Sequence, residues 1–164
     1  MRPYYSQNFT INSVGFLRAY QRDAKRRNRK VGTIYFLGFT DYCTRNRKGN
    51  CMVGRKTEKT RLKRSMEKLR EQMRSIRHNS LKNQAHEINQ MLRGHYAYYG
   101  LGGNFKSLWK VHNFVERYWH NMLSSRSQKS YIPWQKFSVI KERYPLQQPK
   151  LKISFARIKE YAVL

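Results

Sequence analysis

Apolar positions recur at helical spacing over three consecutive stretches of the chain. Leu62, Met66, Leu69, Met73 and Ile76 are separated by steps of 4, 3, 4 and 3, which makes one stripe on a helix expected over 57–77. Thr57 stands where an N-cap belongs, with Glu58 in the favourable first turn. Lys59, Lys63, Arg70, Arg74 and Arg77 are expected on the opposite face. A second stripe, Leu81, Ala85, Ile88, Leu92 and Tyr96 or Tyr99, predicts a helix over 81–99. Ser80 caps it, and Gly100, Gly102 and Gly103 stop it. The third, Leu108, Val111, Val115, Tyr118 and Met122 in steps of 3, 4, 3 and 4, predicts a helix over 105–124 capped by Asn104. Short connections make neighbouring helices antiparallel.

The pattern changes on either side of these helices. Val31, Thr33, Ile34, Tyr35, Phe36, Leu37 and Phe39 are β-formers, and Cys51, Met52 and Val53 make a short return strand that Gly54 ends. The segment between them, TRNRKGN (44–50), is a basic turn, so 31–55 reads as a β-hairpin. After SSRSQKS (124–130), Pro133 suits the first turn of a shorter helix over 133–143, with Trp134, Phe137 and Ile140 on one face. Residues 145–152 read as extended, and a last helical turn or two is expected near 154–161. The fold class is mainly α: a small β-hairpin followed by a three-helix antiparallel bundle and a short C-terminal helical extension. The expected units are a basic N-terminal segment (1–30), the hairpin (31–55), the helical domain (56–126) and a basic C-terminal extension (127–164).

Charge adds what patterning leaves out. Against 35 Lys and Arg stand nine Asp and Glu, a net charge of +26 over 164 residues. A compact monomer so charged repels itself unless a polyanion neutralises it, and nucleic acid is the usual one. Ten basic and three acidic residues fall within 55–77, the densest segment, whereas 78–126 carries six and two. No run of about 18 apolar residues suggests a membrane span, and the N-terminus has no apolar signal core. The cytoplasm is the expected compartment. Cys43 and Cys51 flank the hairpin turn, where a structural thiol pair is expected rather than a disulfide framework.

Candidate contacts to an RNA backbone are the run Arg26, Arg27, Arg29 and Lys30, the hairpin turn Arg45, Arg47 and Lys48, and Arg55, Lys56, Lys59, Lys63 and Arg70 at the first long helix. In LRGHYAYYG (92–100), Gly94 interrupts a helix at a cost of about 1 kcal/mol relative to Ala, which fits close approach of a strand beside Arg93, His95 and Tyr98. Tyr96 and Tyr99 read as packing. His112, Glu116 and His120 share a helix face but lack a fourth ligand, so no metal and no cofactor is implied. No nucleophile–base arrangement stands out, so no small-molecule substrate is expected.

LRGHYAYYG, preceded by FLGF (36–39) and GRKTEKTRL (54–62), resembles the C-terminal part of group II intron reverse transcriptase/maturase proteins. Phe114, Arg117 and Trp119, then SSRS (124–127), Trp134 and Phe137, continue the resemblance over roughly 31–145. It implies that FLGF is the strand closing the polymerase palm and that the helices form the thumb, or maturase-specific domain. It also implies binding of intron RNA during splicing and of an RNA–DNA template–primer duplex during reverse transcription.

The family's polymerase needs paired aspartates for two metal ions, and no adjacent acidic pair occurs here. LRAYQRDAKRRNRK (17–30) reads as a remnant of the palm. The reading is therefore an RNA-binding thumb/maturase module, cut from a longer protein, without its own catalytic residues. The alternatives are part of a split or truncated reverse transcriptase completed by a separate finger–palm polypeptide, and a vestigial non-specific nucleic-acid-binding fragment.

Overall fold

The computed structural model describes residues 33–45, 51–126 and 131–154, with the single positions Arg26, Gly49 and Arg157. The described residues form a three-stranded antiparallel sheet and four helices, and mainly α holds as the class. The strands are β1 (Ile34–Phe36), β2 (Phe39–Arg45) and β3 (Cys51–Thr57), in that order across the sheet. The helices are α1 (Lys59–Ser75), α2 (Leu81–Tyr99), α3 (Phe105–Ser124) and α4 (Trp134–Arg143). The helical turn expected near 154–161 lies mostly outside the described residues, though Arg157 is helical.

The sheet departs from the expected single hairpin in two places. FLGF is a turn, not a strand. Phe36 pairs with Phe39, and Leu37 and Gly38 between them both have positive φ, 47° and 79°. That is the two-residue connection whose twist matches antiparallel strands. Leucine pays strain there, and two bonds hold it: Tyr98 Oη donates to the Leu37 carbonyl (3.2 Å) and Glu58 N–H to the Gly38 carbonyl (2.9 Å).

The second departure is at Gly54, which does not end its strand; β3 runs on to Thr57. Gly54 lies opposite Tyr42, whose ring covers it, and a Cβ there would stand 2.6 Å from that ring. The glycine thus makes room for a cross-strand aromatic. Thr57 is consequently the last strand residue and buried, not a helix cap. The N-cap of α1 is Glu58, whose carboxylate instead accepts the Thr60 hydroxyl at 2.6 Å.

The helical stripes close one core. Leu69 and Met73 of α1, Ala85, Ile88, Leu92, Tyr96 and Tyr99 of α2, and Leu108, Val111, Val115, Trp119, Met122 and Leu123 of α3 are buried in a single cluster. Ser80 caps α2 as expected, accepting the Asn83 N–H at 3.3 Å. Residues after 130 share this core. Phe137 of α4 is fully buried against Trp119, and Leu146 lies in the same cluster. Asn89 ties the extended segment to α2, donating to the Pro145 carbonyl (2.9 Å) and accepting the Gln147 N–H (2.7 Å). Trp134, expected on one face with Phe137 and Ile140, is half exposed and stacks on His120 at 4.1 Å.

Two buried amides lock the layers. Gln84 donates to the Arg77 and Asn79 carbonyls (2.9 and 3.0 Å) and accepts the Trp119 indole N–H (2.9 Å), which joins the α1–α2 loop to α3. Asn104 makes no side-chain cap for α3. Its Oδ1 accepts the Thr57 N–H (2.7 Å) and its Nδ2 donates to the Thr57 hydroxyl (2.8 Å) and the Tyr99 carbonyl (2.9 Å). The sheet is thereby pinned to the α2–α3 turn.

Candidate functional site

α1 sets the electrostatics of the exposed surface. It carries seven basic residues and two acidic ones, Glu67 and Glu71. Lys59, Lys63, Arg70 and Arg74 are exposed and fall within an arc of about 60°. That arc is not opposite the apolar stripe, as expected, but beside it: Arg70 stands about 40° around the helix from Met66. Arg61, Arg64 and Lys68 occupy the far side. Lys63 lies 3.9 Å from Glu67, a solvated contact that leaves the cation available. Arg77 leaves this face. It is half-buried, and its guanidinium donates to the Ser125 carbonyl.

Because Arg70 flanks the stripe, it reaches α3. Its guanidinium carbon is 5.5 Å from the Phe114 ring centre and 5.9 Å from that of Tyr118. The two rings, one helical turn apart, are nearly parallel (14°) with centroids 6.1 Å apart. Together they wall a cleft of about 520 Å³ between α1 and α3. Lys110 and Arg117 add two more cations, Asn113 and Asn121 add amides, and among the described residues no carboxylate lines it. The arrangement offers donors for anionic oxygens and an aromatic surface for stacking. A second cleft, about 330 Å³ beside α4, is lined by Glu116 and Glu142 as well as Lys141, and is far less suited to an anion.

Other expected contacts fare differently. Arg55 is committed within the sheet: its Nε and a terminal nitrogen donate to the two oxygens of Asp41 (2.8 and 3.0 Å), and it lies over the Phe39 ring. Lys56 is exposed, its ammonium 5.1 Å from the Tyr42 ring. Arg26 is exposed; Arg27, Arg29, Lys30, Arg47 and Lys48 lie outside the described residues, as does the side chain of Arg45.

On α2, Arg93, Gly94 and Tyr98 are exposed, and a Cβ on Gly94 would meet nothing within 4 Å. These residues are on a different element from the α1–α3 cleft. His95 turns inward beside the Tyr99 ring (4.7 Å), with its Nε2 buried and unpartnered. Burial lowers its pKa to about 4. Tyr96 and Tyr99 are buried, and burial also raises the Tyr96 phenol above its ordinary range.

The His112, Glu116 and His120 face is taken up internally. Glu116 accepts from Lys141, and the His120 Nε2–H donates to the Ile132 carbonyl at 2.7 Å. Burial lowers the His112 pKa, Glu116 opposing the shift. Among the described residues no group of three potential ligands is arranged to hold a metal ion, and no helix is long and apolar enough to cross a membrane. Cys43 pairs with Val53 and Cys51 with Arg45, which places the cysteines on neighbouring strands two positions out of register.

The cleft was the feature sequence reasoning missed. Lys110, Asn113, Arg117 and Asn121 recur in steps of 3, 4 and 4, a polar stripe alongside the apolar one, but no spacing says which neighbour it faces. The same helices carry the likeness to a known family. No curated protein and no solved structure matches the chain. A family model described as Group II intron, maturase-specific domain matches residues 62–139, a stretch that holds every residue lining the α1–α3 cleft and leaves FLGF outside it. Residues 62–139 thus match the group II intron maturase-specific domain, the family that LRGHYAYYG resembled.

Proposed function

We propose that this chain binds group II intron RNA as a maturase module and leaves the splicing chemistry to the RNA and its metal ions. The observation that carries this reading is the exposed cationic arc of α1, Lys59, Lys63, Arg70 and Arg74, on a domain of a maturase family. Cations at helical spacing suit a phosphate backbone recognised by shape. Because the protein prefers the folded RNA, binding shifts the folding equilibrium of the intron by mass action. Lys56, Arg93 and Tyr98, all exposed, offer further contacts on other elements.

The test is competition between the cognate intron and unrelated structured RNA of equal length. At about 150–200 mM salt, where non-specific phosphate binding fades, the intron should win clearly. Equal retention of both would favour a general nucleic-acid coat.

One observation supports a second reading, in which a separate finger–palm polypeptide docks on the sheet. Tyr35 and Leu37 are 66% and 65% exposed at the edge strand β1 and its turn, an adhesive surface unless covered. In this reading the chain completes a reverse transcriptase and grips an RNA–DNA duplex. Primer extension that requires both chains would establish it; no extension with the partner present would dismiss it.

A further inference from the structure

The cleft between α1 and α3 has properties that a phosphate-binding helix face does not need. Phosphate contact asks only for exposed cations. Here Arg70 is held over two nearly parallel rings, and two amides flank the same space. We propose that this cleft takes one unpaired nucleotide of the bound RNA, its base against Phe114 and Tyr118 and its phosphate on Lys110 and Arg117. The proposal rests on the RNA-binding reading and deepens it.

Four observations converge. The volume, about 520 Å³, falls within the roughly 300–1,000 Å³ typical of small-ligand sites. The rings are only partly buried, so they keep surface to offer a base, and base–aromatic stacking is indifferent to sequence. Asn113 and Asn121 each present a donor and an acceptor, the pair of functions that base edges display. Among the described residues only cations and amides supply its polar lining, which favours an anion, in contrast to the cleft beside α4. A paired base inside an A-form helix cannot reach such a cleft, whereas a base in a bulge, loop or end can.

The experiment uses the full chain and two probes of equal length: a 12-nucleotide single-stranded RNA with a central 2-aminopurine, and a blunt 12-base-pair RNA duplex. In the wild type, 2-aminopurine fluorescence should be quenched on binding. Phe114→Leu with Tyr118→Leu keeps apolar volume against the core and removes both π-faces. It should weaken single-strand binding about tenfold and abolish the quenching, with duplex affinity held within about twofold. Lys59→Ala with Lys63→Ala should weaken both probes alike.

Should the double leucine variant fail to fold by circular dichroism, Asn113→Leu alters the lining of the cleft while keeping both rings and should give the same selective loss. Equal losses for both probes, or an unaltered single-strand affinity, would overturn the nucleotide site while leaving backbone binding in place. A wild type that bound neither probe in low salt would overturn both.

Discussion

Replacing Asn104 by alanine should unfasten the sheet from the helices. Asn104 is fully buried. Its loss orphans the Thr57 hydroxyl and leaves the Thr57 N–H only a long 3.4 Å contact to Ser107 Oγ; the Tyr99 carbonyl keeps the Leu101 N–H at 2.8 Å. Two buried groups are thus stranded, at about 1–3 kcal/mol each, and part of that is recovered by relaxation. The expected loss is about 3 kcal/mol, or a fall in Tm of about 6–12 °C for a chain of this size. Urea unfolding followed by circular dichroism measures it, with an unchanged m-value showing that the effect is on stability. Thr57→Val supplies the coupling. With the hydroxyl already gone, Asn104→Ala should be milder by about 1 kcal/mol. A loss below about 0.5 kcal/mol, or strict additivity of the two substitutions, would refute the assignment of this node.

Three further outcomes follow from individual positions. Arg55→Ala should destabilise by about 1 kcal/mol in urea melts, because it breaks a part-buried bidentate pair with Asp41, and should leave RNA affinity within about twofold; a large loss of affinity with unchanged stability would reverse that assignment. Gly94→Ala should raise stability by about 0.5–1 kcal/mol, since the new Cβ meets nothing and alanine favours helix; if an RNA strand passes there, affinity falls, and unaltered affinity removes Gly94 from the interface. His95 binds its proton more weakly folded than unfolded, so stability is complete above about pH 6.5 and declines as pH drops toward 4, by at most about 3 kcal/mol. His95→Phe should flatten that acid limb in pH-dependent melts, and an identical limb in the variant would exclude the residue.

Two helices were legible because each declared itself twice. α2 and α3 carry an apolar stripe and a bounding signal, Ser80 and Gly100 for one, Asn104 for the other, and both run as expected over 81–99 and 105–124. The sheet was harder because its signals compete. Gly54 and Leu37 look like a strand end and a strand interior by type; only the Tyr42 ring over the first and the Tyr98 and Glu58 bonds at the second decide otherwise. Asn104 was legible as a helix start but not as a tether, because its partner Thr57 is 47 positions away. Trp119, His112 and Gln84 show the same limit: their burial follows from which helix they face.

The candidate site divides along that line. Exposed cations at helical spacing can be read from sequence, and Lys59, Lys63 and Arg70 hold as exposed. Arg55 was indistinguishable from them by type, yet a carboxylate 14 positions earlier claims it. The aromatic wall was half-visible, since Phe114 and Tyr118 are one turn apart, but Arg70 joins it only when α1 lies on α3.

The central claim is that α1 contacts an RNA backbone through its exposed lysines and arginines. Binding of the cognate intron should be followed against salt for the wild type and for a chain with Lys59, Lys63 and Arg74 all replaced by alanine. Each lost phosphate contact lowers the slope of log affinity against log salt by about 1, so the variant's slope should be shallower by about 3, with its melting curve unchanged. Parallel slopes at equal affinity would contradict the account.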